Sequence, residues 1–210
     1  GRSYLGYHRL MLEYIHHLEA PASPTIVLLH GYGSNKEDLF GLQPYFKGYN
    51  LVCFQAPDAI GMGGYAWYPI DWNNGSKIID SGEVEFAKNL VLDVITEWTT
   101  AHDITGTLIL GGFSQGAILS TAIYASGYNA AGYVFLSGYA LPDWREALNS
   151  FTSTVPVFQS HGTEDPVIPF EWAKATSEIL ASNPNYRFHE YSMGHHLNMP
   201  CIEALQLFLR

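Results

Sequence analysis

Short apolar runs recur along this 210-residue chain, and stretches with helical periodicity separate most of them. The runs cover residues 11–18, 25–30, 51–55, 107–110, 132–136, 155–159 and 187–191. Most of the middle runs are continuously apolar rather than alternating, which is typical of strands buried on both faces of a sheet. The first run alternates more, with Glu13 and His17 interleaved, and we expect it to form an antiparallel strand at the sheet edge.

The segments between the runs indicate helices at 83–102, 115–125, 170–181 and 202–209. The segment 115–125 is apolar almost all round, so we expect that helix to be central. Strands that alternate with helices predict a three-layer α/β fold, with a mostly parallel central sheet and helices on both faces. Because the chain has neither an internal repeat nor a low-complexity linker, we expect a single domain over residues 1–210.

The charge balance limits the classes of partner. The chain has 20 acidic and 10 basic residues and a formal net charge of −10, which repels phosphate backbones and anionic lipid headgroups. We therefore expect no nucleic-acid partner, and no run reaches the roughly 20 apolar residues that membrane insertion requires. The two cysteines predict free buried thiols, and residues 1–20 show no signal-peptide pattern, so we expect a cytoplasmic protein.

The sequence GFSQG at 112–116 lies between a predicted buried strand and the predicted central helix. It fits G-x-S-x-G, in which a serine occupies a tight, strained turn from strand to helix. Side chains at the two flanking positions would collide with the neighbouring strand and helix, which accounts for the glycines. Such a turn points the Ser114 hydroxyl out of the sheet, toward a helix N-terminus that favours developing negative charge. The alternative is a glycine-rich turn that only packs closely.

A serine hydroxyl needs a base to become a nucleophile, and the base needs a group that orients it. In hydrolases with this turn the chain order is serine, then an acid, then histidine. Asp165 and His195 follow later predicted strands in that order, so they are the candidate acid and base. Glu164 and His196 lie directly beside them and remain alternatives, as do a turn-forming aspartate and a surface histidine without catalytic roles.

The chain resembles the phospholipase/carboxylesterase family of α/β-hydrolases, the group that includes acyl-protein thioesterases. The segments that carry the resemblance, in chain order, are LLHGYGSN, FQAP, AWYPID, GGFSQGAILS, LSGY, HGTEDPVIP and YSMGHH. The resemblance implies an α/β-hydrolase fold with Ser114 as nucleophile, Asp165 as the orienting acid and His195 as the base. It also implies an oxyanion hole formed by the backbone N–H groups of Tyr32 and Gln115, with Gln115 acting through its backbone rather than its side chain.

Motif and resemblance together predict a serine hydrolase that cleaves esters or thioesters through an acyl-enzyme on Ser114. Short to medium acyl chains are expected, because the chain has no long insertion after the sixth predicted strand. No cofactor and no metal are expected, and the expected partner is a small-molecule ester or thioester. Two departures from the family pattern, Ser34 in the first loop and His196 near the chain end, concern substrate choice rather than the three reacting residues.

The loop at 60–72 is rich in glycine, methionine and aromatic residues and carries few charges. Met62, Trp67 and Tyr68 are therefore candidates for lining an acyl groove beside the nucleophile. Ile168 is a further candidate, in the segment DPVIP. The alternative is a loop that seals the end of the sheet, with its aromatic residues in the core.

Other functions are open to the same sequence. A dienelactone hydrolase-like enzyme, a peptidase or an inactive binding module would share the fold. A panel of esters, thioesters and amides separates the enzymes, and a serine-reactive probe tests the binding module. A dinucleotide site is disfavoured because Lys36 stands where the third glycine belongs. The pairs His16–His17 and His195–His196 do not predict a metal site, because adjacent residues rarely chelate one ion. The oligomeric state is not predicted.

Overall fold

The computed structural model describes residues 12–210, and its centre is a seven-stranded sheet. Along the chain the strands are β1 (Tyr14–His17), β2 (Thr25–Leu29), β3 (Asn50–Phe54), β4 (Asp58–Gly61), β5 (Gly64–Ala66), β6 (Asp71–Asn73), β7 (Ser76–Ile78), β8 (Leu108–Phe113), β9 (Gly132–Leu136), β10 (Val157–Gly162) and β11 (Tyr186–Tyr191). The central sheet has the order β1-β3-β2-β8-β9-β10-β11. Strand β1 is antiparallel to β3, and every other neighbouring pair in this sheet is parallel.

The mostly parallel sheet and its antiparallel edge strand are therefore confirmed. Residue 11, where the predicted edge strand begins, lies outside the described residues. The segment at 60–72, predicted as a loop, instead contributes to two separate hairpins, β4–β5 and β6–β7. The hairpin β6–β7 turns at Asn74 and Gly75, whose φ angles of 50° and 78° suit the two-residue turn that joins twisted strands.

Helices flank the central sheet. They are α1 (Glu37–Phe40), a 3-10 turn (Gln43–Tyr45), α2 (Ser81–Ala101), α3 (Gln115–Ala125), α4 (Pro142–Ser150), α5 (Phe170–Leu180) and α6 (Met199–Phe208). Helix α2 starts before its predicted beginning because the Asp80 side chain caps it, accepting a hydrogen bond from the Gly82 N–H at 2.7 Å. Helix α3 is buried from residue 115 to 124, as expected of a central helix. Within residues 12–210 no helix is both long and apolar enough to cross a membrane.

The sheet separates two hydrophobic cores, and strand β2 contributes to both. Val27 and Leu29 pack into the core that contains α2 and α3, whereas Ile26 and Leu28 pack into the core that contains α1 and α6. Successive side chains of a strand point to opposite faces, so a continuously apolar strand requires cover on both sides. The three-layer arrangement is therefore confirmed.

The parallel strands bring chemistry-bearing residues to one edge of the sheet. Strands β2, β8, β10 and β11 all end at this edge, and Tyr32, Ser114, Asp165 and His195 follow them within a few residues. Ligands of open α/β sheets bind outside the carboxyl ends of the strands. The fold thus brings the side chains of Ser114 and His195, which are 81 positions apart in the sequence, into direct contact.

Candidate active site

Ser114 lies on the turn between β8 and α3, in a backbone conformation that L-residues rarely adopt. Its φ is 57° and its ψ is −116°, and its N–H donates a hydrogen bond to the Leu136 carbonyl at 2.9 Å. The turn presses against β2, because a Cβ atom at Gly112 or Gly116 would overlap the carbonyl group of Leu29. Both flanking positions therefore require glycine, and the strain of the turn is held by close packing on both sides.

Ser114, His195 and Asp165 form one hydrogen-bonded line. The Ser114 Oγ lies 2.9 Å from His195 Nε2, and His195 Nδ1 lies 2.7 Å from Asp165 Oδ2. The other carboxylate oxygen of Asp165 accepts backbone N–H groups of Val167 at 2.8 Å and Ile168 at 2.9 Å. With Nδ1–H donated to the carboxylate, Nε2 is left as an acceptor for the serine proton. This arrangement can activate a hydroxyl nucleophile.

The alternatives Glu164 and His196 are exposed. Among the described residues, neither side chain makes a hydrogen bond to Ser114, Asp165 or His195. His196 instead lines a second cavity of about 350 Å³, which Asp38 and Leu39 of helix α1 also line. The structure thus brings together the three residues that the sequence predicted as reacting groups and leaves their neighbours apart.

A second histidine, His161 at the end of β10, also lies against Asp165. Both side chains are fully buried, and His161 Nε2 is 3.3 Å from Asp165 Oδ2. The same Nε2 donates a hydrogen bond to the Ile168 carbonyl at 2.9 Å. Burial lowers the pKa of His161, so the imidazole is neutral near pH 7. Sequence reasoning missed this residue, although it opens the segment HGTEDPVIP.

Tyr32 and Gln115 are the residues whose backbone N–H groups are predicted to form an oxyanion hole. Gln115 is the first residue of α3, and Tyr32 lies in the loop after β2; both line the same cavity as Ser114. Within residues 12–210 neither N–H donates a hydrogen bond, so both are available to a ligand. A pair of such donors beside a nucleophile can hold the oxyanion of a tetrahedral intermediate.

The loop that carries Tyr32 is anchored by His30, which is buried. His30 Nδ1–H donates to the Gly31 carbonyl at 2.8 Å, and Nε2 accepts the Ala56 N–H at 3.0 Å. The Trp67 indole N–H donates to the His30 carbonyl at 2.9 Å. Burial lowers the pKa of His30, in keeping with a neutral ring that both donates and accepts. The sequence offered no signal for this role beyond the position of His30 at a strand end.

The Gln115 side chain also has a structural role, which corrects the expectation that only its backbone matters. Its Oε1 accepts the Trp67 N–H at 2.8 Å, and its Nε2 donates to the Tyr68 carbonyl at 2.9 Å. The side chain is buried, so these bonds satisfy backbone groups that water does not reach. Helix α3 and the segment at 67–68 are thereby joined directly beside the nucleophile.

A cavity of about 860 Å³ opens at Ser114 and His195. Tyr68 and Ile168 line it, as predicted for an acyl groove, together with Ile118 and residues of the β6–β7 hairpin. Trp67 does not line it, because its indole is buried and turned toward the His30 carbonyl. Met62 does not line it either and is fully exposed, because it lies in the β4–β5 turn between Gly61 and Gly63. These two lining predictions are wrong.

Metal-binding side chains are not clustered at this site. Within the described part of the chain, no group of three or more His, Cys, Asp or Glu residues is arranged to hold a metal ion.

Comparisons with known proteins agree on one family. A model of the phospholipase/carboxylesterase family matches residues 11–210. Acyl-protein thioesterase 1 of Debaryomyces hansenii is 31% identical over 195 residues, covering 81% of this chain and 83% of that protein. Acyl-protein thioesterase 1 of Kluyveromyces lactis is 30% identical over 210 residues, covering 90% of this chain and 92% of that protein.

Solved structures share the fold at lower identity. Acyl-protein thioesterase 2 of Zea mays has a TM-score of 0.75 and 21% identity, with coverage of 94% of this chain and 97% of that chain. The Bacillus cereus carboxylesterase has a TM-score of 0.80 and 18% identity, with coverage of 99% and 98%. Both are α/β-hydrolases, and the likeness extends over almost the whole of each chain.

Proposed function

Since this chain belongs to the phospholipase/carboxylesterase family and is a hydrolase of esters or thioesters, we propose that it acts through an acyl-enzyme on Ser114. One observation carries the proposal, namely the unbroken hydrogen-bonded line from Ser114 through His195 to Asp165. The strained turn at the serine supports it, because strain of this kind persists where function requires it.

The proposed reaction begins when His195 Nε2 takes the Ser114 proton as the oxygen attacks the substrate carbonyl carbon. Asp165 keeps the proton on Nδ1 and stabilises the imidazolium that forms. The N–H groups of Tyr32 and Gln115 bind the oxyanion, and loss of one such donor typically costs roughly 3–4 kcal/mol of transition-state stabilisation. The imidazolium then protonates the leaving alcohol or thiol. Water repeats the sequence on the acyl-enzyme and releases the acid.

Ser114→Ala tests the nucleophile. We expect turnover of p-nitrophenyl butyrate to fall by at least about a thousandfold, since removal of a serine nucleophile has effects of this order or larger. A fluorophosphonate probe should label the wild type once per chain and leave Ser114→Ala unlabelled. Near-normal turnover by the variant would refute the assignment, and an unlabelled wild type would favour a binding module.

The base is tested with two adjacent histidines that serve as matched variants. His195→Ala should abolish turnover, whereas His196→Ala should change it by less than about threefold, because His196 lies outside the hydrogen-bonded line. Loss of activity in His196→Ala alone would move the role of base to that residue.

Esters or thioesters of short to medium acyl chains are the proposed substrates. The name acyl-protein thioesterase, which the yeast relatives carry, supports thioesters as the natural class. A cavity of about 860 Å³ beside Ser114 supports an acyl chain of limited length. A panel of oxygen esters, thioesters and amides with acyl chains of about two to sixteen carbons tests both the substrate class and the chain length. Rates that rise steadily to sixteen carbons would contradict the length, and faster amide cleavage would favour a peptidase.

The cytoplasm is the proposed location. Cys53 and Cys201 are both free and buried, which is compatible with a compartment that keeps thiols reduced. Microscopy of the full protein with a C-terminal fluorescent tag tests this, and signal outside the cytoplasm would overturn it.

A further inference from the structure

One lysine lies in the wall of the cavity that opens at Ser114. Lys77 belongs to β7, and its register partner across the hairpin is Trp72. Side chains that face each other across an antiparallel pair lie on the same face of that pair. Both residues line the cavity, so this face of the β6–β7 hairpin contributes a tryptophan and a lysine side chain to the cavity wall.

Within residues 12–210, the charge of Lys77 has no partner. Among the described residues that line the cavity, Lys77 is the only lysine, arginine, aspartate or glutamate. Lys36 and Lys88, by contrast, pair with neighbouring glutamates. No described side chain forms an ion pair or a hydrogen bond with the Lys77 ammonium. Lys47 and Lys174 also have no ion pair within residues 12–210, but both are exposed, whereas Lys77 is half-buried.

Partial burial makes this arrangement costly. Lys77 is half-buried, and burial lowers its pKa without any opposing carboxylate to raise it. A desolvated charge is stabilised when an opposite charge and hydrogen bonds accompany it. The wall around Lys77 is otherwise largely apolar, with Ile70, Ile79 and Trp72 nearby in the lining. A molecule with an anionic group that enters the cavity would supply the counter-charge.

We propose that Lys77 forms an anion subsite of the active-site cavity, so that the preferred substrates are esters or thioesters that carry an anionic group such as a carboxylate. This inference rests on the proposed function, since it assigns the substrate class of that same site. The anionic group belongs either to the acyl chain or to the leaving group, and the two sources share the chemistry that Lys77 recognises.

Paired substrates of equal size distinguish the two sources. For the acyl chain, p-nitrophenyl hexanoate is compared with the mono-p-nitrophenyl ester of adipic acid, which has the same six-carbon chain and a terminal carboxylate. For the leaving group, 4-(methoxycarbonyl)phenyl hexanoate is compared with 4-carboxyphenyl hexanoate. Each comparison is reported as the ratio of kcat/KM for the anionic substrate to kcat/KM for the neutral one.

Three variants are measured on both pairs. Lys77→Met removes the charge and keeps the length, and Lys77→Arg keeps the charge. Lys47→Met changes the net charge equally at an exposed site on a different cavity. We expect Lys77→Met to lower the ratio about tenfold in one pair, which corresponds to about 1.4 kcal/mol. Lys77→Arg and Lys47→Met should keep it within about threefold, and added salt should reduce the wild-type ratio.

Other results overturn the proposal. Unchanged ratios in both pairs would mean that the lysine stem only covers apolar surface while its ammonium reaches water. An equal loss of turnover on neutral and anionic substrates would mean that Lys77 only supports the hairpin. Failure of the wild type on all four substrates would instead count against the proposed function. In that case, calorimetric binding of monomethyl adipate to wild type and Lys77→Met still decides the subsite: weaker binding by the variant supports it and equal or undetectable binding overturns it.

Discussion

His161 Nε2 lies 3.3 Å from Asp165 Oδ2, the same oxygen that lies 2.7 Å from His195 Nδ1. The buried carboxylate is therefore fixed from two sides by imidazole rings and from a third by the backbone. His161 touches neither the cavity nor the nucleophile, so we expect it to act as a positioning residue for Asp165.

Replacement of His161 tests that role. His161→Leu removes the N–H that approaches Asp165 and leaves the Ile168 carbonyl unpaired, so we expect kcat to fall about tenfold and KM to stay within about twofold. His161→Gln, which offers an amide N–H at a similar reach, should restore most of kcat. Steady-state kinetics on p-nitrophenyl butyrate measures both variants. Equal losses in Leu and Gln variants, or a change confined to KM, would contradict positioning.

The Gln115 side chain is expected to contribute to stability as well as to the site. Gln115→Ala leaves the Trp67 N–H and the Tyr68 carbonyl without partners, and each buried unpaired group costs roughly 1–3 kcal/mol. Urea unfolding should therefore show a loss of about 2–4 kcal/mol in the free energy of unfolding. Gln206→Ala, which loses one bond at a half-buried site, should lose less than about 1 kcal/mol. Equal losses would show that the side-chain bonds of Gln115 are dispensable.

Gly116 is expected to tolerate no side chain. A Cβ atom there would overlap the Leu29 carbonyl, and overpacking of this kind costs roughly 1–3 kcal/mol or more. Gly116→Ala should lower the midpoint of urea unfolding and displace Ser114, with a loss of activity larger than the loss of stability explains. Gly41→Ala is the matched control, since its φ is −58° and its added Cβ makes only ordinary contact. A fully active, stable Gly116→Ala protein would refute the packing argument.

Stability is expected to fall as the solution is acidified below about pH 6.5, the ordinary pKa of histidine. Burial lowers the pKa of His30 and of His161 in the folded protein, so the unfolded chain binds protons at a higher pH than the folded one. The stabilisation is complete above the unfolded pKa and is lost as the pH falls toward the folded values. The urea midpoint should be lower at pH 5.5 than at pH 7.5, and His161→Gln should reduce that difference. Identical midpoints at both pH values would contradict this expectation.

The fold could be predicted because its signals are local. A continuously apolar strand such as β2 and an all-round apolar helix such as α3 each reveal their surroundings by composition alone. Ser114, Asp165 and His195 each follow a predicted strand, and a parallel sheet brings the ends of these strands to one edge. Their proximity could therefore be predicted from their positions in the chain. Their catalytic roles remain predictions for the variants above to test.

Other features could not be predicted because tertiary contacts decide them. Trp67 lies in the same aromatic, charge-poor segment as the cavity-lining Tyr68, yet its indole is buried in the core, where it donates a hydrogen bond to the His30 carbonyl. Met62 is exposed because two glycines with positive φ place it at a hairpin tip. The β6–β7 strands are three residues each, too short for alternation to show.

The β6–β7 hairpin pairs with no strand of the central sheet. Its residues can therefore be replaced, lengthened or shortened without shifting the register on which the serine turn depends. Evolution can alter this segment at little cost to folding while the reaction machinery stays constant. Chains that share the same three reacting residues would then differ in the substrates they accept rather than in the reaction they catalyse. Grafting the hairpin from one such chain to another is the direct way to exchange substrate preference.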